Sequence, residues 1–461
     1  MKNITMLMIL LLAGCGTFLF GQTAITRSAF NIEGTGARAL GMGGAFIAVA
    51  DDATAASWNP AGLAQLTKPE ASMVYDHFSG DLKWKESGTV TYNMPHYLDY
   101  NYHDINDKAT TSYSDFSFVS VTYPFEIGNR FLVTQFSYNQ ISNLPDFSNK
   151  YGYAYDFVHD DGSAYGERLY DYTWKGSASG GINAYTLSLA SELFKGFNLG
   201  LSLNYLKADV TNTYSSAYTY TESWAGGTSG SGWENDSLKY DFKDWYFDFG
   251  MLYKINEMFS VGAVYHSSFT TDLNYSQSIS DPTGTTPWNP KGEVKWPDGW
   301  GVGIAFRPIQ PLTFAADYSK TMWSKATVKW DDPTITPPTT YFPYFWYDKQ
   351  YDTGSTRLGA EYALVLQSGL VIPFRAGWFK EDQISTYYIG SGQVSVDGYT
   401  LGTGVTYKNF QFDVAYVHST GNEKISDTTT GTTDGFPYTN VFTGKHDTSV
   451  DRFLASAIVR F

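Results

Sequence analysis

From Glu70 to its last residue the chain alternates with a period of two, and that alternation limits what it can fold into more than anything else in the sequence. Phe197, Leu199, Leu201, Leu203 and Tyr205 fall on one face of an extended segment, opposite Asn198, Gly200, Ser202 and Asn204. Trp245, Phe247, Phe249, Met251 and Tyr253 repeat the pattern against Asp244, Tyr246, Asp248 and Gly250. Leu312, Phe314, Ala316 and Tyr318 do so against Thr313, Ala315, Asp317 and Ser319. Phe410, Phe412, Val414 and Tyr416 do so against Gln411, Asp413 and Ala415, and Leu358, Ala360 and Tyr362 against Arg357, Gly359 and Glu361. In a strand, successive side chains point to opposite faces, so each segment reads as a strand with one apolar and one polar side.

Alternation alone also fits a soluble sandwich. The connections separate the two. Short turns at 126–129, 195–196, 256–257, 308–311, 367–368 and 408–409 alternate with long polar stretches at 141–180, 212–237, 272–293, 329–350, 381–395 and 421–447. Short turns at one end and long loops at the other are the pattern of a membrane β-barrel. Six turns join six strand pairs. A strand at Glu70–Tyr92 precedes them and one at 451–461 follows, giving about fourteen, an even number as single-chain barrels have. The expected fold is therefore all-β, a transmembrane antiparallel barrel.

Composition agrees. Aromatic residues make up 17%, with 36 Tyr and 13 Trp, and the apolar faces often end in Tyr or Trp, side chains that favour a wet–apolar boundary. A net charge of -15 argues against nucleic acid as a partner, because phosphate binding needs a basic face. Cys15 is the only cysteine, which leaves no disulfide framework and no cysteine metal site. Phe453, Ala455, Ala457, Val459 and Phe461 alternate to an aromatic C-terminus, which resembles the signal read by the bacterial barrel assembly machinery.

Residues 1–21 read as a secretory signal, with Lys2 as the basic region and 4–12 as the apolar core. Cleavage after Gly21 is favoured over a lipobox at 12–15, which would acylate Cys15. The expected division is then a hatch at 22–68 and a barrel at 69–461, in the bacterial outer membrane. The hatch contains a Gly- and Ala-rich stretch, 34–66, almost free of aromatics. Its glycines, Gly41, Gly43 and Gly44 among them, permit close backbone approach, and its short helical pieces cannot stand alone. Asn59-Pro60-Ala61 closes it with an Asx-Pro turn signal. Folded into the lumen it would plug the pore, with Arg38, Asp51 and Asp52 pairing lumen charges such as Arg357, Glu361, Arg375 and Asp413. The bland alternative is a small cap outside the barrel.

The pattern GARALGMGGAFIAVADDATAASWNPAGLA followed by about fourteen strands resembles the FadL/TodX family of outer-membrane transporters for hydrophobic compounds. The resemblance implies a hatch carrying Asn59, Pro60 and Ala61, and passive diffusion of long-chain fatty acids or aromatic hydrocarbons. It also implies an outer groove, for which Tyr214, Tyr218, Tyr220, Trp224, Trp233 and Trp288 stand in the expected third and fourth loops. A kinked third strand would open a lateral route. The third strand expected here, 130–140, has no internal Gly or Pro, and Pro145 lies just beyond it.

Two rival functions follow from the same fold: a PorV-like component of a protein secretion system, and a polar-solute porin. No enzyme is expected, because no Ser/His/Asp arrangement or Ser-elbow can be defended. No metal or other cofactor is expected either. The seven histidines are scattered; His96 with His103 and Asp104, and the set Asp156, Asp160, Asp161 and Glu167, read as solvated loops. The expected partners are a hydrophobic small molecule, outer-membrane lipid and, through Phe461, the assembly machinery.

Overall fold

The computed structural model describes residues 34–92, 99–142, 146–159, 163–332, 351–383, 394–433 and 436–461. The signal segment with Cys15, and His96, Pro145, Asp160 and Asp161, lie outside these residues. Among the described residues one antiparallel sheet contains nineteen runs of strand. In chain order they are β1 (Glu70–Tyr92), β2 (Asp99–Ile127), β3 (Arg130–Ser142), β4 (Asp146–Val158), β5 (Ala164–Phe194), β6 (Phe197–Glu222) and β7 (Ser229–Lys254). Next come β8 (Phe259–His266), β9 (Phe269–Asp281), β10 (Gly284–Trp288), β11 (Lys291–Trp296), β12 (Gly299–Ile309), β13 (Leu312–Thr321) and β14 (Thr327–Trp330). The last are β15 (Thr353–Val365), β16 (Val371–Gln383), β17 (Val394–Tyr407), β18 (Phe410–Thr433) and β19 (Phe436–Arg460).

The nineteen runs are fourteen barrel strands. β3 and β4 occupy the same row between β2 and β5. β8 and β9 share the row beside β7. β10, β11 and β12 share the next, and β13 and β14 the one after. Two of these interruptions fall at Pro290 and Pro297, where a missing N–H cannot join the ladder. At the β8/β9 break, Ser267 bridges to β7: its hydroxyl accepts from the Phe247 N–H at 3.0 Å, and its own N–H donates to the Phe247 carbonyl at 3.0 Å. β1 pairs with β19 along its whole length, which closes the transmembrane barrel at fourteen strands. Phe461 caps the seam, its N–H 3.0 Å from the Pro69 carbonyl, and its ring is exposed.

All six short turns join strands where expected. The long stretches between them differ from expectation. Much of what reads as loop at 141–180, 212–237 and 421–447 is strand: β5, β6, β7, β18 and β19 run for 24 to 31 residues. The third strand likewise runs on to Ser142 and its row resumes at Asp146. About ten residues suffice to cross a bilayer, so the wall rises far beyond it.

The strands record where the bilayer ends. Low on β6 and β7, the apolar set faces out: Leu203 is 45% and Trp245 54% exposed, and Asn198, Ser202 and Asn204 are buried inside. Above the facing rings of Tyr205 and Trp245, 4.9 Å apart, the pattern inverts without a change of register. Leu206, Ala208, Val210, Leu238, Tyr240 and Phe242 are buried inside, while Lys207, Asp209, Lys239 and Lys243 face out. An outward apolar face suits lipid and an outward charged face suits water, so the inversion marks the outer edge of the bilayer.

Candidate functional site: a plugged lumen beneath an aromatic lining

Residues 34–66 lie inside the lower barrel, nearly all buried. Helix α1 (Ala37–Gly41) is only five residues long, and the chain leaves it through Gly43 and Gly44 at φ +68° and +72°, a left-handed exit open to glycine. A 3-10 turn at Pro60–Gln65 is capped by the Asn59 side chain, with Pro60 at its first position. Trp58 packs edge-on to Phe46 at 6.0 Å and donates its indole N–H to the Thr35 carbonyl at 2.8 Å.

So irregular a segment leaves many backbone groups without partners of its own, and burial makes each of them costly. The polar inner faces of the strands supply the partners. Asp317 on β13 accepts from the Phe46 and Ile47 N–H groups at 2.6 and 2.8 Å. Ser456 accepts from the Ala37 N–H at 2.6 Å. Ser120 and Gln135 donate to the Ala53 carbonyl, and Ser260 to that of Ala48. The Thr400 hydroxyl accepts from the Gly43 N–H at 2.9 Å and donates to the Gly41 carbonyl at 3.0 Å. Asn59, fully buried, donates to the carbonyls of Ile47 in the segment and Met251 on β7, both at 2.9 Å, while its oxygen accepts from the Ala61 N–H.

The charges converge as well. Arg38 grips Glu361 on β15 with a two-pronged contact at 3.0 and 3.1 Å, and reaches Asp51 at 2.6 Å and Asp52 at 3.4 Å. Glu361 also accepts from Arg375 on β16 at 2.6 Å, and Arg375 from there reaches Asp413 on β18 at 2.7 Å. Arg357 stands apart from this chain. It pairs with Glu381 at 2.9 Å, and its guanidinium and Cδ lie beside Gly44. Arg38→Met is expected to leave buried Asp52 without its cation, with Arg307 at 3.9 Å still beside Asp51, and to loosen the segment by about 3–5 kcal/mol. Hydrogen exchange over residues 34–66, with barrel strands as internal control, measures it. Arg38→Lys is expected to restore only part of the protection, because a point charge cannot reproduce the fork.

Sequence reading missed Asp317, the acceptor for two segment N–H groups. The signal was present: a carboxylate between Ala315 and Ser319 on an inward face demands a buried partner. It also missed a run of barrel glycines shaped to this segment. A methyl group on Gly200 or Gly250 would strike Asn59-Pro60-Ala61, one on Gly262 the Ile47 carbonyl, one on Gly359 the Met42 carbonyl, and one on Gly377 the Gly43 nitrogen.

Above the segment the lumen is lined by aromatic and aliphatic side chains from β5, β6, β7, β9 and β11, including Tyr214, Leu238, Tyr240, Phe242, Leu273, Tyr275 and Trp296. A second cluster gathers Phe78, Leu82, Trp84, Tyr153, Tyr170 and Tyr172. The six residues expected to line one loop groove are divided among different places. Tyr214 belongs to the first cluster and Trp288 packs on it; Tyr218 and Tyr220 pack on the second. Trp224 meets Phe157 and Tyr165, and Trp233 faces outward, 45% exposed. Five of the six stand on strands, where alternate residues must face opposite sides, and Trp224 stands in the turn between β6 and β7.

These features define a class: a fourteen-stranded transmembrane barrel with an N-terminal plug seated by polar contacts and an apolar lumen above it. Among solved structures, a FadL homologue of Pseudomonas aeruginosa is similar with a TM-score of 0.60 and 14% identity over 94% of this chain and 100% of that one. The toluene transporter TodX of P. putida matches with a TM-score of 0.50 and 13% identity over 94% and 99%. The monoaromatic hydrocarbon channel CymD matches with 0.51 and 15% over 94% and 99%. No protein-family profile and no curated protein matches the sequence. The chain thus has the FadL/TodX fold.

Proposed function

We propose that the protein carries hydrophobic small molecules across the bacterial outer membrane by passive diffusion, with residues 22–68 as the hatch. The observation that carries this reading is the inversion of the strands above Tyr205 and Trp245. It builds an apolar path through the aqueous, saccharide-rich zone where a hydrophobic solute is otherwise excluded, and that path leads down to the hatch. The TodX and CymD structures are those of hydrocarbon carriers, and a FadL homologue shares the fold. In this reading Asn59, Pro60 and Ala61 lock the hatch, Gly41, Gly43 and Gly44 let it lie against the wall, and Arg38 with Glu361 and Arg375 is the latch that must yield. A lumen filled at hatch level does not favour the polar-solute porin.

Cells lacking their own hydrocarbon carriers test the proposal. Expression of this chain is expected to raise the initial uptake rate of radiolabelled toluene several-fold, while the purified barrel in planar bilayers passes almost no ionic current. Unchanged uptake, or steady porin-sized conductance, would sink the reading.

A further inference from the structure

One polar spot interrupts the aromatic lining above the hatch. Asp236 on β7 lies on the same inward face as Leu238 and Tyr240, directly across from Tyr214 on β6, and is 9% exposed. One carboxylate oxygen, Oδ2, accepts from Gln277 Nε2 at 2.6 Å. Gln277 is held in turn, its carbonyl accepting from the Tyr275 hydroxyl at 3.3 Å. The other oxygen, Oδ1, is buried and has no hydrogen-bond partner among the described residues. The side-chain oxygen of Asn212, diagonal to Asp236 across the β6/β7 ladder, is in the same state. Diagonal neighbours on one face of an antiparallel pair stand about 7–8 Å apart, so the two acceptors border the same stretch of lining. An orphaned buried acceptor costs free energy until something donates to it.

The surroundings narrow what that donor is. Lys239, Lys243, Lys295 and Lys329 on the neighbouring strands stand on the exposed outer face, as does Lys175, which borders a cavity with Tyr214 and Asp236, so among the described residues no lysine stands on the inward lining here. A carboxylate ligand would bring a second acceptor, and a like charge, to Asp236. A bare hydrocarbon would leave Asp236 Oδ1 unpaired. A hydroxyl both donates and accepts.

We infer that the upper lumen holds a recognition site for apolar molecules bearing a hydroxyl group, phenols or alcohols, with Asp236 Oδ1 as the acceptor. This rests on the transport reading and narrows it from hydrophobic compounds at large to hydroxylated ones over carboxylated ones. Burial pushes the Asp236 carboxyl up to about 6, in keeping with a group lodged in an apolar lining and waiting for a donor.

Isothermal titration calorimetry of the purified barrel with three probes of one shape tests the inference: toluene, p-cresol and p-toluate. The wild type is expected to bind p-cresol about tenfold or more tightly than toluene, and p-toluate most weakly, as one hydrogen bond to a buried carboxylate implies. Asp236→Leu is expected to bring p-cresol and toluene to equal affinity. Asp236→Asn keeps an acceptor but removes the charge, and is expected to retain the p-cresol preference while admitting p-toluate. Heat-modifiable gel migration verifies that each variant is a closed barrel. Equal binding of toluene and p-cresol by the wild type, or an unchanged preference in Asp236→Leu, overturns the inference and leaves the transport reading standing. Failure of all three probes to bind overturns both.

Discussion

Asn59→Ala is expected to free the hatch while the barrel stays closed. The wild-type side chain satisfies three buried backbone groups at once: the Ile47 and Met251 carbonyls and the Ala61 N–H. Alanine leaves all three without that partner. At about 1–3 kcal/mol per orphaned group, with partial relaxation, the docking of the hatch weakens by about 2–5 kcal/mol. Amide exchange in residues 34–66 should rise by about 30-fold to a few thousand-fold, with strands such as β6 unchanged. Asn59→Asp should be worse than alanine. It retains an acceptor for the Ala61 N–H but aims a carboxylate at two carbonyl oxygens in a dry site. If exchange is the same in all three proteins, Asn59 does not hold the hatch. A uniform rise across the strands would instead mean that the whole barrel has loosened.

A second large effect is expected where barrel glycines face the hatch. Gly377→Val places a branched side chain on the Gly43 nitrogen and the Met42 carbonyl carbon. Both are backbone atoms, so no rotamer change relieves the clash, and the hatch itself must shift. The expected result is a leaky barrel, with measurable ionic current in planar bilayers and increased sensitivity of the host to large polar antibiotics. Gly128→Ala is the control. Its new methyl meets nothing within 4 Å and carries only the strain of a φ of +60°, about 1–2 kcal/mol. A Gly377→Val barrel as tight as wild type would show that the close fit has no sealing role.

Both experiments act on features of unequal visibility in the sequence. The Asn-Pro-Ala turn was legible because an N-cap followed by proline is local chemistry. The glycine seat was not. Gly200, Gly250, Gly359 and Gly377 look like ordinary weak points in strands, and their meaning depends on backbone that lies more than a hundred residues away in the chain. The charges were legible as a set but not as pairs. Arg38, Glu361, Arg375 and Asp413 do form a chain of contacts, whereas Arg357 turns to Glu381 instead.

The long upper strands were legible in principle and misread. The alternation of Leu206, Ala208 and Val210 with Lys207 and Asp209 continues into Thr211, Thr213 and Tyr214, but its hydrophobic sense is reversed and its residues are the Ser, Thr and Tyr of a typical loop. What the sequence determined by itself was therefore whatever depends on near neighbours. Strand period, turn chemistry and the six short connections follow from steric preferences within a few residues, and together they imply an even barrel of fourteen. Tertiary structure alone decided which strand each hatch atom meets, that Asp317 rather than another carboxylate receives Phe46 and Ile47, and that Asp236 keeps an oxygen unpaired inside an aromatic lumen. Those outcomes depend on barrel closure. Closure brings distant residues to contact distance, and hydrogen bonds and burial act only at that range.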